Sequence, residues 1–436
     1  MRWHEKQGLP VHRLPGGDRA PVHSYADELD RWLASGAATK PVLEEPEQAK
    51  PGPTAPAAEE NPAPSRRNLA IAAIGAGLVA GAAAIAWPSL SGSASQQQPA
   101  AQTSGEAPLS EDLRERFLAA RNLWSGRSAP ALIRATAELE AVTSEAPQFA
   151  PGWAALAESW ILSREFGAVS DAKAFAEAET AANRAVAIDP RNAAGHRALG
   201  FIQYWWKADP RGAGQSFRHA IDLAPGDAQS HFWYGNILSD SGEHDSALDH
   251  LTQAQTINPG NVALEVDYAW ALWQAGQGEA AARLFARLEA SNPDHVVLHA
   301  CLADIALIAR DWTRYLAEYE RYSELRDDAE GLASGRELRG VLETSGEAAF
   351  KAALLRTTRE QSVVSPAATR AWLAMVASAV GERGALVAVL REAAAEQERW
   401  GSSGYRRAIA AHWPGDSEIA RLLAAVTAPK VEPTAR

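Results

Sequence analysis

Cysteine is almost absent from this chain. Cys301 is the only one in 436 residues, which excludes an intrachain disulfide framework. It stands one residue before an apolar packing position, Leu302, where a buried structural thiol is expected. Catalytic signatures are missing as well: there is no GxSxG, HExxH, P-loop or CxxC, and the glycines at 75, 77 and 81 do not match GxGxxG. His295 and His299 have the i, i+4 spacing that suits a metal. No acidic residue or cysteine stands near them at a typical ligand spacing, so packing is the expectation for His299. His244 and His250 fall near exposed positions and carry no chemistry. The chain therefore reads as a protein that is not an enzyme and needs no cofactor or metal. Positive charge is also in deficit, with 42 Lys and Arg against 54 Asp and Glu. Residues 88–436 hold 33 against 44, a poor balance for binding nucleic acid.

What is present is a period. Pro190, Pro225, Pro259 and Pro293 are 35, 34 and 34 residues apart. A proline cannot continue a helix, so proline at fixed spacing marks the end of a fixed structural unit. Ala213, Ala247 and Ala281 repeat in the same register, as do Phe217, Leu251 and Phe285. A period of this length describes a solenoid of helical hairpins, in which each unit buries its apolar face against its neighbours. The fold class expected is all-α.

The wording of these units resembles the tetratricopeptide family, in which a bulky residue opens helix A and a small residue follows a leucine. Trp153-Leu156-Ala157-Trp160, His196-Leu199-Gly200 and Tyr234-Gly235-Leu238 fill those places. Small residues there let the two helices of a hairpin approach closely. A weaker unit begins near Arg116, with Ala135, Leu139 and Val142 on its helix B. Pro147 and Pro190 are 43 residues apart, and the excess over the period is placed in the loop Ser163 to Asp171. A sixth unit, Val296 to about Leu325, keeps Leu302-Ala303 and Tyr319 without a closing proline. The resemblance covers 109–325 well. Over 326–426 it fades into degenerate helical repeats or a cap, including the helix pair Ala367–Val380 and Gly384–Ala395, and 427–436 reads as a disordered tail.

By the family pattern one stripe of helix A faces the concave groove. It holds Arg197, Phe201 and Tyr204, with Trp205 beside them, after Pro190. After Pro225 it holds Phe232, Asn236 and Ser239, with Asp240 alongside, and after Pro259 it holds Val266, Trp270 and Trp273. These residues recur at intervals of three or four and so share one helical face. Aromatics with an arginine among them suit the anchoring of a protein or peptide partner, and the stripe is expected to be partly exposed.

Upstream, Leu69–Trp87 runs for 19 residues without a charge, about the length needed to span a hydrocarbon core of about 30 Å. A linker rich in proline, alanine and glutamate (37–68) precedes it and a Ser/Gln-rich linker (88–108) follows. Arg66 and Arg67 abut its start, and no further Lys or Arg occurs until Arg114. The positive-inside rule then leaves 1–68 in the cytoplasm and the repeats outside, as in a single-pass protein of a bacterial inner membrane. Ala73, Gly77 and Gly81 form a small-residue stripe compatible with a homodimer in the bilayer.

Residues 1–36 read as helix, hairpin, helix. Arg2–Lys6 ends a helix before Gly8 and Pro10, Val11–Leu14 and Val22–Ser24 are strand candidates, and Ser24 suits the N-cap of a helix over Tyr25–Ala34. This wording resembles an excisionase-like helix-turn-helix module with a basic wing. The resemblance implies DNA contacts from Arg2, Lys6, Arg13 and Arg19. Residues 1–40 hold six basic and five acidic residues, hardly a basic patch; Met1 falls inside the recognition helix of that family, so either the true start lies upstream or the module is a remnant. Two readings follow. One is a membrane-anchored binding protein linked to transcriptional regulation, and the other is a membrane-tethered scaffold with a vestigial N-terminus. A reporter enzyme that is active only outside the cytoplasm, fused after residue 100, is expected to be active; activity only of a cytoplasmic reporter at that position would overturn the orientation.

Overall fold

The computed structural model describes residues 12–13, 22–23, 109–123, 129–165, 169–362, 366–427 and 429–431. The apolar run Leu69–Trp87 with Ala73, Gly77 and Gly81, both linkers, the contact candidates Arg2, Lys6 and Arg19, the helix expected over Tyr25–Ala34 and the last five residues lie outside this set. No described helix is long and apolar enough to cross a membrane. The chain divides into two units, Met1–Pro64 and Ser65–Arg436. In the first, strands β1 (His12–Arg13) and β2 (Val22–His23) pair antiparallel, with His12 opposite His23 and Arg13 opposite Val22.

Seventeen helices are described in the second unit. They begin with α1 (Glu111–Leu123), α2 (Ala129–Glu145), α3 (Ala150–Glu165) and α4 (Asp171–Ile188). The regular repeats are α5 (Ala193–Trp205) with α6 (Pro210–Leu223), α7 (Ala228–Ser241) with α8 (His244–Ile257), α9 (Val262–Gln274) with α10 (Gly278–Ser291), and α11 (Val296–Ile308) with α12 (Trp312–Leu325). Then come α13 (Ala329–Ser362), α14 (Pro366–Val380), α15 (Arg383–Ala395), α16 (Ser403–His412) and α17 (Ser417–Val426). Within α13, Gly346 takes φ 80° and breaks the helix into two segments, a backbone state open to glycine.

The repeat boundaries are built twice over. The turns after Pro190, Pro225 and Pro259 each end in an Asn or Asp that caps the next helix: Asn192 Oδ1 accepts from Gly195 N at 2.8 Å, Asp227 from Ser230 N at 3.1 Å, and Asn261 from Ala263 N at 3.1 Å. Caps of this kind contribute roughly 1 kcal/mol each. The bulky residue that opens helix A then closes back on the turn. Trp153 Nε1 donates to the Pro147 carbonyl at 3.1 Å, and the ring Nε2 atoms of His196, His231 and His299 bond the carbonyls of Pro190, Pro225 and Pro293 at 2.8, 3.1 and 2.7 Å. Every one of these pairs is six residues apart. The carbonyl that the proline leaves without a helical donor is satisfied by its own repeat.

The close helix approach falls where the small residues stand. A Cβ on Gly200 would lie 2.7 Å from the Phe217 ring, and one on Gly235 would lie 2.7 Å from Leu251 Cγ. Ala213, Ala247, Phe217, Leu251, Ala135, Leu139 and Val142 are all fully buried. The extra length between Pro147 and Pro190 is not confined to the loop, as the sequence had implied. It lengthens both helices, to 16 residues in α3 and 18 in α4, against 13 and 14 in α5 and α6. The apolar core falls into two clusters, one from Ala120 to Ala271 joined by Val431, the other from Val266 to Val426.

Gly235→Val should lower stability by roughly 1–3 kcal/mol through overpacking. Gly340→Ala, where an added Cβ meets nothing within 4 Å inside α13, should raise it by about 0.5–1 kcal/mol. Urea midpoints test both, and equal midpoints for the two variants would refute the packing assignment.

Candidate functional site

The first helices of three successive repeats, α7, α9 and α11, bring equivalent residues to one face. At the 34-residue period these form rows: Asn236, Trp270 and Asp304; Ser239, Trp273 and Leu307; Asp240, Gln274 and Ile308. Across this face lies α16, contributed by the C-terminal part of the chain. Ser402 N donates to Asp240 Oδ1 at 2.5 Å, and Ser403 Oγ donates to the Ser239 carbonyl at 2.8 Å. The Gln274 amide oxygen accepts from Ser403 Oγ at 3.1 Å and from Gly404 N at 3.3 Å. Arg407 donates to the carbonyls of Trp273 and Gln274 at 2.5 Å each, and His412 Nε2 bonds the Ile308 carbonyl at 3.0 Å. Cations at the carbonyl ends of helices complement the helix dipole. Between these polar rungs Trp270 stacks on Trp273 (centroids 4.6 Å apart) and meets Tyr405 edge-on at 6.3 Å.

This covering helix changes the reading of the stripe. Phe201, Phe232, Asn236, Asp240 and Trp270 are buried, Arg197 is 7% exposed, and Tyr204, Trp205 and Trp273 are half-buried. Over Trp270 and Trp273 the expected partly exposed aromatic surface is instead covered by the chain's own α16, and Trp270 belongs to the second core cluster. Arg197 ties repeats together: it is paired with Glu158 of α3 and with Asp227 before α7, and its guanidinium lies over Trp233 at 5.8 Å. Burial raises the Asp227 carboxyl, but Arg197 and the Ser230 donors outweigh that and hold it below its usual range. Phe201 packs on Trp233 at 4.9 Å, and Asn236 Nδ2 donates to Asp267 at 2.7 Å. Tyr204 donates its hydroxyl to Asp240 at 2.7 Å and meets Trp205 edge-on.

Other expectations settle locally. Cys301 is fully buried, and burial next to Asp267 and Asp304 drives its thiol well up, the state of an inert thiol. His299 bonds Glu318 at 2.7 Å. This acidic partner was invisible at local spacing, but no group of three or more metal-ligating side chains exists among the described residues. His244 and His250 are half-buried rather than exposed, and His250 Nδ1 lies 2.9 Å from His231 Nδ1.

Sequence reasoning missed Asp304 and Gln274, which follow the stripe's own period, and it missed the segment that meets them. Asp304 is fully buried and takes the Tyr405 hydroxyl on Oδ2, while its Oδ1 has no hydrogen-bond partner. The approach to α16 is strained: Gln397 and Ser402 hold φ of 56° and 47°, left-handed values that cost non-glycine residues roughly 1–3 kcal/mol each. Beyond α17 the chain returns to the first half. Trp400 N donates to the Val426 carbonyl at 2.6 Å, and Val431 is buried against Gly214, its N–H on Glu243 at 2.6 Å.

The architecture is a helical-hairpin solenoid whose first-helix face is covered by the chain's own α16. Residues 238–305 match the family model described as tetratricopeptide repeat, so the chain contains tetratricopeptide repeats. No curated protein matches it in sequence. Solved structures resembling it include the Cut9 and Hcn1 hetero-tetramer of APC/C, at 14% identity and TM-score 0.46 over 71% of this chain and 54% of that one. The pilF protein of Pseudomonas aeruginosa resembles it at 14% and 0.33 over 63% and 96%. A tetratricopeptide repeat protein of Parabacteroides merdae does so at 12% and 0.35 over 73% and 99%. Likenesses this distant assign no partner.

Burial pushes the Asp304 carboxyl well above its ordinary value of 3.8, with the Tyr405 hydroxyl opposing only in part. A raised carboxyl pKa means the folded state holds its proton longer than the unfolded one. The stability tied to Asp304 is thus complete below about pH 4 and declines as pH rises through the raised value. Asp304→Asn, which carries no charge to bury, should melt several degrees higher than the parent at pH 8, with the gap closing toward pH 4. A pH-independent difference in melting temperature would refute the assignment.

Proposed function

We propose that this chain is a non-enzymatic interaction scaffold whose inner helix A face receives a segment of another polypeptide. The observation that carries the reading is that three successive repeats present one continuous surface already able to seat a helix, with a polar group or carbonyl from each repeat. The surface residues are those of the stripe: Tyr204, Trp205, Asp240, Trp270 and Trp273, extended by Gln274 and Asp304. Arg197, Phe201, Phe232 and Asn236 form the layer beneath and fix the distances between repeats.

The scaffold is proposed to be tethered to a bilayer through Leu69–Trp87, with residues 1–68 cytoplasmic and the repeats on the other side. The support is the uncharged run, its length, and Arg66 and Arg67 at its start. The stripe Ala73, Gly77 and Gly81 would bring two such spans together. A second reading couples the array to DNA through residues 1–36. The antiparallel pairing of His12–Arg13 with Val22–His23 favours it, since a wing needs such a hairpin.

A photo-crosslinking residue placed in the full chain at Tyr204, and separately at exposed Arg283 on α10, tests the scaffold reading. Adducts to another polypeptide are expected at position 204 and not at 283. Equal labelling at the two positions would remove the inner face as the docking surface.

A further inference from the structure

The seat and the helix that fills it are incompletely paired. Of the arginines between Glu398 and Asp416, Arg407 reaches the seat at the carbonyl end of α9, whereas Arg406 bonds the carbonyls of Trp400 and Gly401 in its own segment and Arg399 bonds the Ala425 carbonyl of α17. The contact mixes polar and apolar groups: Asp240, Gln274, Ser239, Ser403 and Asp304 are buried in it beside Tyr405, Ala408 and Ile409 of the second core cluster. Two buried polar atoms on the seat, Asp304 Oδ1 and Trp270 Nε1, gain no partner from α16. Interfaces that form and separate have this mixed composition, with polar groups imperfectly matched. The left-handed residues Gln397 and Ser402 mark the two ends of the short approach to the helix, where strain is released if the helix leaves.

We propose that Gly401–His412 is a resident competitor for the inner face. The partner that displaces it is a helical segment of another polypeptide with the same chemistry: glycine against the Trp273 ring, tyrosine next in sequence to reach Asp304, and arginine two residues further on to take the carbonyls of Trp273 and Gln274. The proposal rests on the reading of the array as a polypeptide-binding scaffold and adds both its regulation and its recognition pattern. Glycine is required at the first place because a Cβ on Gly404 would run into the Trp273 ring, which is held by its stack on Trp270 and by Arg407 at 5.5 Å. The same clash supplies a switch. Gly404→Val should expel the helix while leaving every residue of the seat unchanged.

The test uses the full chain and a fluorescent peptide of residues 399–413. Gly404→Val is expected to bind the peptide at least tenfold more tightly than the parent chain. Tyr405→Phe with Arg407→Ala in the peptide should weaken that binding at least tenfold. Equal affinity of parent and variant, no binding by a variant with parental helicity, or indifference to the peptide substitutions would each overturn the proposal. Hydrogen exchange on the unaltered chain gives a readout that does not need the variant to fold: amides of α16 should exchange at least tenfold faster than those of α14 and α15, and equal protection would mean a permanent core helix. Photo-adducts at position 204 separate this from the broader reading. Adducts in the parent chain with α16 still protected would overturn the competitor and keep the scaffold, whereas no adduct even with Gly404→Val would overturn both.

Discussion

Where Gly200 meets Phe217 and Gly235 meets Leu251, the two helices of a repeat touch across a contact with no room for a Cβ. The depth of that contact sets how far apart successive first helices stand, and everything on the inner face inherits the spacing. The prolines end each unit, the Asn and Asp caps start the next, and the Trp153, His196, His231 and His299 rings close the turn onto the proline carbonyl. These local devices make one repeat a copy of the last. Only because the copies are faithful do Asp240, Gln274 and Ile308 line up as rungs for a single straight helix.

The polar character of that face follows from its position. A helical hairpin packs its apolar side against its neighbours, which leaves the inner side free to carry carboxylates, amides and indoles. Some of these serve the array itself. Arg197 between Glu158 and Asp227 is a tie whose removal would leave two carboxylates without their shared cation. Others, Asp304 above all, face α16 and are only half satisfied by it. The distinction between tie and seat lies in which side chains meet across repeats and which meet across the groove.

Much of the array was legible because its signals are local. Prolines, small residues and caps recur within 34 residues, so periodicity alone placed Ala213, Phe217 and their equivalents in the core, where they are found. The same period put Trp270 and Trp273 on the inner stripe. It did not reveal that they are covered, since Ser402 and Arg407 lie more than 120 residues further along and belong to a stretch without repeats. His299 was correctly read as packing, but for a reason that local spacing conceals: its acid is Glu318, on the second helix of its hairpin. The proline clasp escaped notice because its residue type varies, tryptophan in one repeat and histidine in three, while its geometry stays fixed.

The covering helix α16 also ties the repeats to one another. From Ser402 at Asp240, through Arg407 at Gln274, to His412 at Ile308, it advances five residues for each repeat. A helix held at three successive repeats by fixed contacts ties their spacing to its own length, so any force that changes that spacing has to break at least one of those contacts.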